Sequence, residues 1–336
     1  MSHVGKQSFI YENPPLIAAH VSIAGPKESQ GPLGKWFDTT FDDDLLGQKS
    51  WEKAESEMLR RCATDAVKNA GMVDTEVQAF MAGDLNAQII ASGFCARALR
   101  MPFLGLYGAC STFVEGMLLG AALISGGMLD NAVFGASSHF CTAERQFRMP
   151  LEMGTQRTPS AQWTATAAGC GVLKREKGPG LRVTSGTIGR VIDYQIKDAN
   201  HMGAAMAPAV WDCIRQHMDD TGRREGYYDL IVTGDLGWIG RELLMELMGE
   251  SGIHVPGEKL IDCGASLYSK EQDPHAGGSG CGCVASVSCS WIMKRMEKGE
   301  FKKVLIVGSG ALLSTTSGLQ GESIPSIAYA AGVEMM

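Results

Sequence analysis

The sequence lacks the long apolar runs that membrane-spanning helices require. No apolar stretch among its 336 residues reaches the roughly 18 to 20 residues that a transmembrane helix needs. Its first residues carry a lysine and polar side chains instead of the apolar segment of a secretory signal. With 45% apolar and 20% charged residues, general disorder is also excluded. These features favour a soluble, cytoplasmic globular protein.

An excess of positive charge and any standard metal-binding spacing are also absent. The 30 Lys and Arg residues against 37 Asp and Glu residues give a net charge of −7, which argues against a nucleic-acid partner. The ten cysteines include no C-x-x-C pair, and without an export signal they are expected to be reduced and mostly buried. No structural metal and no resident cofactor are therefore predicted.

A helix is predicted early in the chain. Ser50 is a good N-cap residue, and Gly71 marks the end of the helix. Residues at helical spacing form one apolar face, made of Trp51, Ala54, Met58, Cys62 and Ala66. A short apolar strand is predicted next, over residues 77–82.

A turn between a strand and a helix is predicted around Cys110. Residues 104–107 are predicted to form a buried strand, and residues 113–123 a helix that is apolar on nearly every face. Such a helix belongs inside a large protein. Because a helix N-terminus stabilises a thiolate, Cys110 is a candidate nucleophile; an inert, buried cysteine is the alternative.

The pattern of the first half occurs again in the second. One predicted strand ends in Gly83-Asp84-Leu85, and another ends in Gly234-Asp235-Leu236. Cys110 precedes two glycines by 16 and 25 residues, and Cys283 precedes two glycines by the same intervals. These matched spacings indicate a duplicated β-α-β unit.

The alternation of short apolar strands with helices predicts the fold class. Such strands are typical of buried, largely parallel sheets that are covered by helices. We predict an α/β protein of two similar halves, residues 1–178 and 179–336, which share one core.

The turn at Cys110 resembles a known catalytic element. Tyr107-Gly108-Ala109-Cys110-Ser111 is similar to the nucleophile elbow of the thiolase and β-ketoacyl synthase superfamily. The resemblance implies a five-layered α-β-α-β-α fold of two duplicated halves and a homodimer. Synthases of type III carry a catalytic His and a catalytic Asn where this chain has Gly234-Asp235 and Gly278-Ser279-Gly280. Without those two residues, ligand binding is favoured over catalysis.

Several segments, spread from end to end of the chain, carry a narrower resemblance. They are Gly25-Pro26-Lys27-Glu28, Gly31-Pro32-Leu33-Gly34, Gln48-Lys49-Ser50-Trp51-Glu52, Ala82-Gly83-Asp84-Leu85, Gly108-Ala109-Cys110-Ser111-Thr112, Thr142-Ala143-Glu144-Arg145-Gln146-Phe147-Arg148, Met206-Ala207-Pro208-Ala209 and Ala276-Gly277-Gly278-Ser279-Gly280-Cys281. Together they resemble the stage V sporulation protein AD family of spore-forming bacteria. The resemblance implies a protein that binds dipicolinic acid, or its calcium chelate, and loads it into the developing spore. It also implies small integral membrane partners, a location at the forespore or spore inner membrane, and a role in germination.

A pocket for dipicolinate, a flat pyridine with two carboxylates, should combine helix amides, hydroxyls and Arg or His donors with an apolar wall. No catalytic residue is assigned. Arg145 and Arg148 form a candidate carboxylate clamp, and a structural pair with Glu144 or Glu152 is the alternative. The candidate ligand-binding residues are Cys110, Ser111, Thr112, His139, Arg145, Asp198, His201 and Ser279.

Two other functions remain open at the level of sequence. An acyl-transfer enzyme of the ketoacyl synthase III type would use Cys110 with a histidine base, for which the candidates are His275, His139 and His201. Asp235 is a poorer candidate base, because a carboxylate beside a thiol raises the thiol pKa. A structural scaffold with a filled cavity is the third possibility, and fold alone does not separate the three.

Overall fold

The computed structural model describes residues 2–147, 157–224 and 226–336. Its strands are β1 (Ser2–Val4), β2 (Ser8–Ile10), β3 (Leu16–Ala24), β4 (Thr39–Thr40), β5 (Phe80–Gly83), β6 (Phe103–Gly105), β7 (Asn131–Ser138), β8 (Trp163–Thr164), β9 (Ala167–Lys174), β10 (Leu181–Ile188), β11 (Leu230–Thr233), β12 (Leu260–Asp262), β13 (Gly278–Ser279), β14 (Lys303–Ala311) and β15 (Ser326–Met335).

The helices in these ranges are α1 (Pro26–Ser29), α2 (Trp51–Asn69), α3 (Ile90–Leu99), α4 (Thr112–Ser125), α5 (Phe140–Phe147), α6 (Met202–Thr221), α7 (Gly237–Glu250), α8 (Cys263–Leu267), α9 (Cys281–Val287), α10 (Met293–Glu297) and α11 (Thr315–Leu319). A π-helical turn, Ser288–Ile292, joins α9 to α10. Across the described part of the chain, every helix is too short or too polar to traverse a bilayer.

Ten of the strands form two five-stranded arrays with the same internal order. One array runs β6-β5-β7-β9-β3, and the other runs β12-β11-β14-β15-β10. In each array the first three strands are parallel to one another. Each of the last two strands runs antiparallel to the strand listed before it. A single residue pair, Leu16 with Arg182, connects β3 to β10. The first array lies within residues 1–178 and the second within 179–336, and a domain boundary there stays a prediction.

Helices cover the outer faces of both arrays and fill the space between them. Helix α2 packs on β3, β7 and β9, and α6 packs on β14 and β15 and against α7. Helix α4 contacts β5 and β7 on one side and β14 and β15 on the other, while α9 packs on β7 and β9. The predicted five-layered α-β-α-β-α fold is confirmed.

The early helix forms as its sequence pattern predicts. The Ser50 side chain accepts a hydrogen bond from the backbone N–H of Lys53 at 3.4 Å, which caps α2. Ala54, Met58, Cys62 and Ala66 are completely buried on its inner face. Burial of this face fixes α2 as the outer layer over the first array.

The prediction of a buried strand over residues 104–107 is wrong. Strand β6 ends at Gly105 and is the outermost strand of its array, where Leu104 is 43% exposed and Tyr107 is 46% exposed. The apolar pattern was typical of a central strand, but an edge strand pairs on one side only. Strand β6 therefore presents an open edge and apolar side chains within the described part of the molecule.

Candidate functional site

The turn between β6 and α4 is sharp and held by local hydrogen bonds. Ala109, with a φ of 50°, adopts the left-handed conformation that residues other than glycine rarely adopt. The Ser111 hydroxyl donates to the carbonyl oxygen of Gly108, and the Thr112 hydroxyl donates to that of Ala109 at 2.8 Å. Both hydroxyl protons are thus used inside the elbow, and Cys110 lies in the turn just before α4.

A glycine of the second half allows β14 to approach this elbow. A Cβ on Gly310 would lie only 2.2 Å from the carbonyl oxygen of Gly108. The close approach therefore requires the absence of a side chain at this position. It brings Ser309 and the end of β11 to the Cys110 side of the molecule.

Asp235 lies beside Cys110 and is fully buried, two residues after β11 ends. Its Oδ2 accepts hydrogen bonds from the Gly280 backbone N–H at 2.8 Å and from the Ser279 hydroxyl at 3.1 Å. Its Oδ1 accepts one from the Ser309 hydroxyl at 2.9 Å. The Cys110 thiol lies against the same carboxyl. One carboxyl group thus collects donors from the elbow, the glycine-rich turn and β14.

The electrostatic environment disfavours a Cys110 thiolate. Burial raises the pKa of Cys110 well above its ordinary value, and the neighbouring Asp235 raises it further. Burial also raises the pKa of Asp235, while the contacts with Cys110 and the donors around it lower that pKa. Cys110 is therefore a neutral thiol near pH 7, unlike an activated nucleophilic cysteine.

A narrow cavity opens beside Cys110. It encloses about 470 Å³ of empty space including its mouth. Only about 40 Å³ of that space is interior volume that a water molecule could occupy. The space is thus a thin slot with mostly apolar walls. Its lining residues are Leu85, Tyr107, Ala109, Cys110, Ala143, Glu144, Phe147, Thr164, Met202, Ser279, Ala311 and Leu313.

Two of the eight candidate ligand-binding residues, Cys110 and Ser279, line this cavity. Ser111 and Thr112 are adjacent, but their hydroxyls donate to the elbow backbone. His139 is buried elsewhere: its Nε2 donates to the carbonyl oxygen of Asp44 at 2.8 Å, and its Nδ1 accepts from the Cys141 backbone N–H at 3.1 Å. Burial lowers the pKa of His139, so this ring is neutral and structural.

Arg145 faces away from the slot. It forms an ion pair with Glu52, and its guanidinium carbon lies 5.4 Å from the centre of the Trp51 ring. Arg145 is thus paired with Glu52, which was not among the partners predicted from the sequence. Arg148 and Glu152, the other members of the predicted clamp and its alternative, lie outside the described residues.

Asp198 and His201 belong to the turn before α6. The Asp198 carboxylate accepts a hydrogen bond from the Asn200 backbone N–H at 2.9 Å. The backbone carbonyl oxygen of Asp198 accepts one from the His201 backbone N–H, also at 2.9 Å. The third candidate base, His275, is held at its Nδ1 by the carbonyl oxygen of Thr158 at 2.6 Å. None of the three candidate bases is among the described residues that line the slot.

Comparisons with known proteins place this geometry in a family. Residues 5–334 match the family described as Stage V sporulation protein AD (SpoVAD). Stage V sporulation protein AD of Bacillus subtilis (strain 168) is 41% identical over 329 residues, which cover 98% of this chain and 97% of that protein. The chain belongs to the SpoVAD family. That membership makes it a protein of spore development.

Solved structures with low sequence identity share the fold. The 3-oxoacyl-[acyl-carrier-protein] synthase III of Aquifex aeolicus VF5 is 12% identical, with a TM-score of 0.60 and coverage of 95% of this chain and 99% of that one. Cerulenin-bound OleA of Xanthomonas campestris is 13% identical, with a TM-score of 0.64 and coverage of 97% and 100%. At these identities the likeness shows a thiolase-like fold alone.

Most of the slot's lining residues were not predicted from the sequence. Leu85, Phe147, Met202 and Leu313 come from segments far apart in the chain, and no local pattern connects them. The central place of Asp235 did have a signal, because Gly234-Asp235-Leu236 matches an equivalent segment of the first half.

The first half carries a buried acid pair at the equivalent place. Asp84 follows β5, and the Asn86 side chain donates to both Asp84 and Glu55 at 3.0 Å. Burial raises the pKa of Glu55, and the nearby Asp84 raises it further. Across the described ranges, no group of three or more His, Cys, Asp or Glu side chains is arranged to hold a metal ion.

Proposed function

We propose that this chain binds dipicolinate, or its calcium chelate, without covalent chemistry in the slot beside Cys110. In this role it loads the ligand into the developing spore and also serves in germination. The observation that carries the proposal is the elbow itself: a nucleophile-type turn opens onto a narrow, mostly apolar slot, but a buried carboxyl faces its cysteine. Binding requires only the slot, whereas acyl transfer also requires an activated thiol.

The chemistry of the elbow supports binding over turnover. A thiol whose pKa is raised by burial and by Asp235 is a poor nucleophile. The Gly280 N–H and the Ser279 hydroxyl both donate to Asp235, so they are not directed at the oxyanion of a reacting acyl group. In the described lining no histidine is present to act as the base.

The shape of the slot suits a flat aromatic ring. Leu85, Phe147 and Met202 supply apolar and polarisable surfaces, and Thr164 and Ser279 add hydroxyl groups. A pyridine ring excludes water from such walls while its carboxylates meet the few polar groups.

Assembly with other chains is part of the same proposal. We place the protein peripherally at the forespore or spore inner membrane, with small integral SpoVA membrane proteins as partners, and as a homodimer. The open edge of β6 and the exposed Leu104 and Tyr107 support the homodimer, because a symmetric copy would cover them.

Titration calorimetry of the purified protein with dipicolinate, with and without calcium, tests the binding proposal. Saturable binding is expected for the wild type, with clear weakening in Cys110→Ala and in Leu313→Trp, which narrows the slot. Arg145→Ala is the control and should bind normally, because that side chain pairs with Glu52 away from the slot. An absence of binding together with acylation of Cys110 by acyl-CoA would replace the proposal with an acyl-transfer enzyme.

A further inference from the structure

We propose that Glu55 and Asp84 share one proton, and that this proton holds α5 in place as a wall of the slot. Without the proton, two negative charges would lie behind that wall, and α5 would move away from the turn that follows β5. The acid pair is thus a pH-sensitive latch on the slot. This inference rests on the proposed function for what the slot contains, and part of its test needs no ligand.

The two carboxyl groups are fully buried and lie close together. The Asn86 side-chain amide donates to Glu55 Oε2 and to Asp84 Oδ1 at 3.0 Å each, so these two oxygens are no more than about 6 Å apart. Among the described residues, no cationic side chain pairs with either carboxyl. Two buried negative charges at this separation, without a counter-ion, do not coexist near neutral pH. The pair therefore holds a proton.

The hydrogen bonds around the pair place the proton on Glu55. Asp84 accepts from the Asn86 backbone N–H at 2.9 Å, from the Asn86 side chain at 3.0 Å and from the Ser92 backbone N–H at 2.7 Å. These N–H groups can only donate, so they favour an ionised Asp84. Within the described chain, Glu55 Oε1 meets the Ser137 hydroxyl at 3.3 Å, and a hydroxyl accepts as well as donates. Glu55 Oε1 is thus the oxygen that carries the proton.

Helix α5 is fastened both to this pair and to the turn after β5. The Thr142 hydroxyl donates to Glu55 Oε2 at 2.9 Å and shares its proton with the carbonyl oxygen three residues earlier. The Gln146 side chain accepts from the Ala87 backbone N–H at 2.7 Å and donates to the Leu85 carbonyl oxygen at 3.2 Å. The slot lining on this side comes from the same two segments: Leu85, Ala143, Glu144 and Phe147. The position of this wall therefore depends on the charge of the pair.

The turn after β5 is strained, which favours its movement once its contacts weaken. Gln88 and Ile89 have φ values of 54° and 49°, in the left-handed region that a β-branched residue such as isoleucine rarely adopts. Strain of this kind persists only where surrounding contacts enforce it. Here those contacts include the hydrogen bond from Ser92 to Asp84 and the one from Ala87 to Gln146. Loosening the latch would release this strain.

Most other titratable groups around the pair keep their charge near neutral pH. They are Cys95 on α3, Tyr107 after β6, His139 after β7, Cys281 on α9 and the Glu52–Arg145 ion pair between α2 and α5. Burial raises the pKa of both thiols and of the phenol and lowers the pKa of the imidazole, so these four groups are neutral. Glu144 is a carboxyl of α5 itself and supplies a matched control. Burial and the nearby Asp84 raise the pKa of Glu55 to about 8, so the latch loses its proton as the pH rises towards that value.

Hydrogen–deuterium exchange of the ligand-free protein from pH 6 to pH 9 tests the latch. Because opening releases one proton, the open form should gain up to about tenfold in population per pH unit until the pH reaches about 8. The protection factors of the α5 amides should fall accordingly, while those of α7 should not follow this trend. In Glu55→Gln, whose amide replaces the protonated acid, α5 should stay protected throughout. Glu144→Gln should behave as the wild type, and flat wild-type protection of α5 would overturn the latch.

A second variant tests the place of the proton. In Asp84→Asn an NH₂ group must face the N–H of Asn86 or of Ser92, so protection of α5 should be reduced at every pH. The opposite pattern, with a harmless Asp84→Asn and a loosened Glu55→Gln, would overturn the assignment of the proton to Glu55.

Calorimetry with dipicolinate connects the latch to the slot. Wild-type affinity should weaken by about tenfold or more between pH 6 and pH 9, whereas that of Glu55→Gln should vary by less than about threefold. A pH-dependent α5 with a constant affinity for dipicolinate would overturn the link to the slot. A constant α5 would overturn the latch and leave the proposed function standing. A pH-dependent α5 in a protein that binds no dipicolinate at any pH would instead overturn the proposed function.

Discussion

Replacing Asp235 with asparagine should make Cys110 more reactive. The Asp235 carboxyl is the first charged group that raises the pKa of Cys110, after burial itself. An amide of the same shape removes that charge and leaves the burial unchanged. The pKa of Cys110 should therefore fall, although it stays above the ordinary thiol value because burial remains.

The size of the effect follows from the contact between the two groups. Two charges about 4 Å apart interact by about 4 kcal/mol at an effective dielectric constant of about 20, and roughly 1.4 kcal/mol corresponds to one pKa unit. Because this repulsion is removed, the pKa of Cys110 falls and a larger fraction of the thiol is ionised at a given pH. Part of this gain is lost, because a less basic thiolate is a weaker nucleophile. The net expectation is alkylation about 10 to 40 times faster near pH 8.

The assay is the rate of iodoacetamide labelling of Cys110, followed by peptide mass mapping between pH 7 and pH 10. Cys141 is an internal control, because burial, Asp44 and Glu144 raise its pKa to about 11 without a contribution from Asp235. Its labelling rate should be the same in both proteins. An unchanged or slower rate at Cys110 in Asp235→Asn would refute the electrostatic argument.

Three further expectations follow from other parts of the molecule. Leu104→Lys places a charge on the open edge of β6 and should convert a homodimer to a monomer in sedimentation velocity. Glu55→Gln should flatten the pH dependence of thermal unfolding: the folded pKa of Glu55 is raised to about 8, so its contribution to stability is fully present below the ordinary pKa of 4.5 and is lost as the pH rises towards 8. Ser50→Ala removes the cap of α2 and should cost about 1 kcal/mol in denaturant unfolding.

Much of the fold was predictable because its signals are local. The capped helix α2 needs only Ser50 and an apolar face with a helical period. The duplication is visible in the equal spacings after Cys110 and Cys283, and the two arrays have equivalent strand orders. The exposure of β6 was not predictable, because the composition of an edge strand does not reveal whether a neighbour pairs with it.

The site was harder to predict, because residue type does not give side-chain direction. Ser111 and Thr112 are in the elbow as predicted, yet their hydroxyls turn to carbonyl oxygens three residues earlier. Arg145 forms an ion pair with Glu52, which lies far away in the sequence. Long-range pairing of this kind decides which polar groups face a cavity, and no spacing rule predicts it.

The duplicated architecture explains why Asp235, rather than Cys110, determines the character of this site. Asp84 and Asp235 follow equivalent strands, and each is buried at the end of its strand. Asp84 accepts from the Ser92 backbone N–H at 2.7 Å and so supports α3. Asp235 instead collects donors from the glycine-rich turn and from Ser309 on β14. Because the parallel strands fix both positions, the chemistry at the elbow can change through one side chain while the fold around it stays the same.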